Sequence, residues 1–65
     1  MIELIGIEPG TRLRIAGGIT AEVLESLGDE WVRVRLTEVP VGMPAGRGSV
    51  GAEELCHATD VIEVL

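Results

Sequence analysis

There is no lysine, phenylalanine or tyrosine in this chain, and only one tryptophan, one histidine and one cysteine. Each scarcity excludes something. Nucleic-acid binding is disfavoured, because phosphate neutralisation needs a basic face and single-strand binders add stacking aromatics. Five arginines stand against eleven carboxylates, for a formal charge of −6, which disfavours an acidic membrane surface as well. One cysteine cannot close an internal disulfide, so nothing points to an oxidising compartment. No apolar run approaches the roughly 18 residues of a membrane span, and Met1 to Glu8 lacks the basic start and long apolar stretch of a signal peptide. The expectation is a cytoplasmic protein without a membrane partner.

What is present is a short, apolar, branched chain. Sixty-five residues suit one domain, residues 1–65, near the lower size limit for a core that holds without metals, disulfides or partners. With 46% apolar residues and almost no aromatics, the core falls to Ile, Val, Leu and Ala, and the β-branched members favour strands. Such a core rarely supplies more than about 3–5 kcal/mol. Self-association is therefore expected to contribute.

The period-2 pattern recurs along the chain. Thr11-Arg12-Leu13-Arg14-Ile15 alternates, with Leu13 and Ile15 on one face and the arginines on the other. Trp31 to Leu36 repeats it, with Val32, Val34 and Leu36 opposed to Trp31, Arg33 and Arg35. Ile2 to Ile7 reads as a first strand that ends at the Pro9-Gly10 turn. Residues 19–28 also admit a helix, with Thr20 as cap and Gly28 as stop. Register favours a strand instead. With Gly28-Asp29 as a two-residue turn, Glu25 faces Val32, Val23 faces Val34, Glu22 faces Arg35 and Ala21 faces Leu36, which satisfies both faces at once. Residues 37–51 carry two prolines and four glycines without periodicity, a long loop. Glu54 to His57 reads as a strand, Ala58-Thr59-Asp60 as a tight turn, and Val61 to Leu65 as a closing strand. The expected fold is all-β: a small barrel of five to six short strands with one long Gly/Pro-rich loop.

The layout carries a resemblance. Gly10-Thr11-Arg12-Leu13-Arg14-Ile15, the Gly17-Gly18 turn, Trp31-Val32-Arg33-Val34-Arg35 and the ending Ala58-Thr59-Asp60-Val61-Ile62-Glu63-Val64-Leu65 together resemble SH3-like barrels of bacterial type over residues 10–65. The closing segment is similar to the end of the small photosystem I barrel subunit. The order of elements also resembles the type II dihydrofolate reductases, SH3-like barrels active as tetramers around a shared pore. Their Val-Gln-Ile-Tyr tetrapeptide is absent, and Ser49-Val50-Gly51-Ala52 stands instead. The resemblance implies either an interaction module or an oligomer that takes a small-molecule ligand at its symmetry axis.

No residue set points firmly to catalysis. Cys56 and His57 are adjacent, so in a strand their side chains diverge; Cys56 is expected inside and His57 outside. Glu53 and Glu54 diverge for the same reason and read as solvated charge. Gly46-Arg47-Gly48 lacks the Gly-Lys-Ser/Thr sequence and following helix of a phosphate loop. A single His without spaced companions is a weak metal signal. No catalytic residue, metal or cofactor is assigned. Trp31 is different, because Trp and Arg are enriched at binding hot spots. In the expected register Trp31 stands on the outer face opposite Ser26, with Leu24 diagonal and Arg33 and Arg35 beyond. These four form the expected binding surface. Ile2, Leu4, Ile5 and Ile7 offer apolar groups on both faces of one segment and form the expected oligomer interface. The partner is expected to be protein, foremost a second copy.

Overall fold

The computed structural model describes residues 4–42 and 49–65. It is all-β. Five strands, β1 (Arg12–Ile15), β2 (Ile19–Ser26), β3 (Trp31–Glu38), β4 (Glu53–His57) and β5 (Val61–Val64), form one antiparallel sheet in the order β4-β3-β2-β1-β5. A 3-10 helix, Ala58–Asp60, joins β4 to β5.

That short link dictates the shape. In a flat sheet of this order β4 and β5 would lie four spacings of about 4.8 Å apart, roughly 19 Å. Four Cα steps from His57 to Val61 reach at most about 15 Å. The sheet therefore curls around its own apolar face, and Cys56 of β4 and Val61 of β5 meet in one core with Leu13, Ile15, Ile19, Ala21, Val23, Val32, Val34 and Leu36. Backbone bonds fix the curl at both ends of the link: Ala58 N–H donates to Glu30 O at 2.8 Å and Ala16 N–H to Asp60 O at 2.8 Å.

The alternation read from β1 and β3 appears in the burial. Leu13 is fully buried and Ile15 nearly so, and Val32, Val34 and Leu36 are each 0% exposed. Residues 19–26 are strand and not helix. The β1–β2 turn depends on Gly17 and Gly18, whose φ angles of 90° and 79° disfavour residues with a Cβ.

Three expectations change. Leu4 to Ile7 is a turn and not part of a first strand: Gly6 takes φ 74° and Ile7 N–H returns to Leu4 O at 3.2 Å. Its apolar residues divide: Leu4 is wholly buried in the chain's own core and Ile7 packs partly against it, while Ile5 is exposed. Second, the β2–β3 register holds at Ala21–Leu36, Glu22–Arg35 and Val23–Val34, then shifts so that Glu25 faces Arg33 and not Val32. A bulge at Leu24 absorbs the extra residue, and the turn is Gly28 to Glu30, closed by Leu27 N–H to Trp31 O at 3.0 Å. Third, Thr37 and Glu38 belong to β3, and Gly51 and Ala52 return to bond with Leu36, so the long loop is shorter than 37–51. Gly46-Arg47-Gly48 and Ile2 lie outside the described residues.

Candidate interaction surface

Strand β3 positions the surface. Its inward residues anchor it in the core, and strict alternation then obliges Trp31, Arg33 and Arg35 to face out. On β4 their partners across the ladder are His57, Leu55 and Glu53. On β2, Glu25 lies across from Arg33 and Glu22 from Arg35, and Leu27, one residue past its end, lies across from Trp31. The outer face thus divides into an apolar end and a charged end.

The charged end is an ion-pair chain. Arg33 Nη1 donates to Glu53 Oε1 at 3.0 Å, and its Nε lies 3.0 Å from Glu25 Oε1, a charge contact off the N–H direction. Arg35 Nη2 is 3.6 Å from Glu53 Oε2. All four side chains are about half exposed, so solvent screening holds each pair to about 0–1 kcal/mol. Both arginines expected to meet a partner are occupied by these carboxylates. These pairs bridge β2, β3 and β4 on the outer face.

The apolar end is the more unusual half. Trp31 is 44% exposed, Leu27 45% and Leu55 61%. The Trp31 and His57 rings meet edge to face, with centroids 4.8 Å apart and planes at 76°, an arrangement worth about 0.5–1.5 kcal/mol beyond burial. His57 is fixed from its other side. Its Nδ1 accepts the Thr59 backbone N–H at 3.1 Å as cap of the 3-10 helix, which places the proton of the neutral ring on Nε2, 3.7 Å from Glu30 Oε2. Trp31 therefore rests against an immobilised imidazole.

Leu24 is half-buried at the bulge, where with Glu25 it lies across from Arg33. Trp31 faces Leu27 and not Ser26, which pairs with Val32. Leu27, Leu55 and His57 are the surface residues that sequence reasoning did not gather. The signal was present, since placing Cys56 inside obliges Leu55 and His57 to share the outer face. Of the amino-terminal residues expected at an oligomer interface, Leu4 is buried, Ile7 packs partly against the core, and Ile5 is 65% exposed.

Cys56 is buried and its side chain diverges from that of His57. Among the described residues no three His, Cys, Asp or Glu side chains gather as a metal ion requires, and no helix is long and apolar enough to cross a membrane. No family model, curated protein or solved structure matches this chain.

Proposed function

We propose that this chain is an SH3-like barrel that serves as a non-enzymatic protein-interaction module and associates with copies of itself. The strand order β4-β3-β2-β1-β5, with a 3-10 helix before the last strand, supports the barrel assignment. The interaction reading is carried by one observation: the chain's single tryptophan lies exposed beside Leu27 and Leu55, braced by His57 and rimmed by ion pairs. A rigid aromatic anchor inside a polar rim is the anatomy of a binding hot spot. The small aromatic-poor core gives a second reason for a partner, since burial between copies supplies stability that the monomer lacks.

Mass action provides the test. A self-associating fold melts higher as its concentration rises from micromolar to millimolar, and Trp31→Ala should weaken the association by about 2 kcal/mol, roughly 30-fold in dissociation constant. Loss of association on Ile5→Glu with Trp31→Ala silent would instead place the interface at the amino-terminal turn. Native mass spectrometry that finds an assembly retaining a small molecule would favour a ligand site at a symmetry axis.

A further inference from the structure

The sheet has two ends, and they are not equally protected. At one end β5 is four residues long, and its register against β1 shifts between Arg14 and Ile15, so that Ile62 is left as a bulge. Short length and a bulge are ways in which an edge is blunted against pairing. At the other end β4 runs in unbroken register with β3 from Glu53 to His57. It contains no proline or lysine, and the only guards it carries are the carboxylates Glu53 and Glu54, the latter on the inner face across from Val34.

The direction of β4's outward backbone groups follows from the flanking bonds. Ala58 N–H donates to Glu30 O and Leu36 N–H to Ala52 O. Alternation between them makes Val32–Cys56 and Val34–Glu54 the pairs that exchange bonds across β3 and β4. The N–H and C=O groups of Glu53, Leu55 and His57 then point away from β3, toward an edge on which no strand pairs among the described residues, the His57 C=O also accepting from the Cys56 thiol at 3.6 Å. The same three residues carry the outward side chains, so backbone template and exposed face coincide.

This five-residue edge is self-complementary. Turned antiparallel about Leu55 against a second copy, it sets Leu55 against Leu55, Glu53 against His57 and His57 against Glu53 on the outer face. On the inner face it sets Glu54 against Cys56, so no two carboxylates stand directly opposite. A carboxylate faces an imidazole twice, and the most exposed leucine of the described residues meets its own copy at the two-fold axis. We infer that copies of this chain pair edge to edge through β4 in this register, extending two five-stranded sheets into one. The inference rests on the self-association proposed above and names where it occurs. Antiparallel pairing sets the apolar end of each outer face beside the charged end of the other, so the two apolar ends meet only at the Leu55 pair, and Trp31, one strand in, reaches the joint through His57.

Cysteine cross-linking reads the register directly. A bond-exchanging antiparallel pair holds its Cα atoms about 5.5 Å apart, within the range a disulfide spans. In a Cys56→Ala background, Leu55→Cys should form a covalent dimer on mild oxidation, at least ten times faster than Leu27→Cys on the same face away from the edge. Glu53→Cys mixed with His57→Cys should form the mixed dimer, and neither variant should cross-link to itself at that rate. Variants are compared only where circular dichroism and melting temperature match the Cys56→Ala parent. If Leu55→Cys links no faster than Leu27→Cys while the unmodified chain sediments as a dimer, the edge register is wrong and self-association stands. A chain that stays at 6.9 kDa and does not cross-link overturns both.

Discussion

The two faces of β3 are built from the same eight residues and do opposite work. Val32, Val34 and Leu36 are fully buried, while Trp31, Arg33 and Arg35, one step along the backbone from each, meet solvent, ions or another ring. The inward side determines whether the chain folds, because three branched side chains from one strand make up a quarter of the buried core. The outward side contributes little to folding and holds the only exposed aromatic. On the proposed reading, stability and recognition are separated by a 180° alternation. Substitutions on the two sides should separate them in measurement.

The largest effect is expected from Val34→Asp. An isolated buried carboxylate costs several kcal/mol, comparable with the whole stability of so small a domain, and the far-ultraviolet circular dichroism of this variant should be that of an unfolded chain. Leu4→Ala comes next. The expected loss of about 2–5 kcal/mol for a buried leucine would lower the melting temperature steeply, whereas Ile5→Ala, at an exposed neighbour, should leave it within experimental error. Trp31→Ala should keep the fold and its β-type spectrum, and act on association by about 2 kcal/mol. Arg33→Ala should cost under about 1 kcal/mol, because both of its ion pairs are half exposed. A melting-temperature loss for Arg33→Ala as large as that for Leu4→Ala would erase the separation between the faces.

The sequence made one half of this comparison more legible than the other. Alternation in Leu13–Ile15 and Val32–Leu36 reports burial directly, and the Glu22–Arg35 pairing could be read because charge and apolar registers agreed. The bulge at Leu24 left no such mark. Leu24 is acceptable on either face, and Gly28-Asp29 suits a two-residue turn as well as the three-residue turn that forms. The amino-terminal segment misled for a different reason. Four apolar residues in six look like a strand, but Leu4 is buried in the core from a turn, which Gly6 allows the chain to make. Pairwise patterns do not encode that placement. Of the proposed interaction surface, the sequence singled out the outward position of Trp31 and missed its neighbours, because Leu55 and His57 join that face only through the β3–β4 register across a loop of no periodicity.

Sedimentation equilibrium of the unmodified chain, from micromolar to millimolar concentration, tests the central claim most directly. The account predicts a mass that rises from 6.9 kDa toward at least twice that value, with Trp31→Ala displacing the rise to about 30-fold higher concentration. A mass that stays at 6.9 kDa over the whole range, for both proteins, would contradict it.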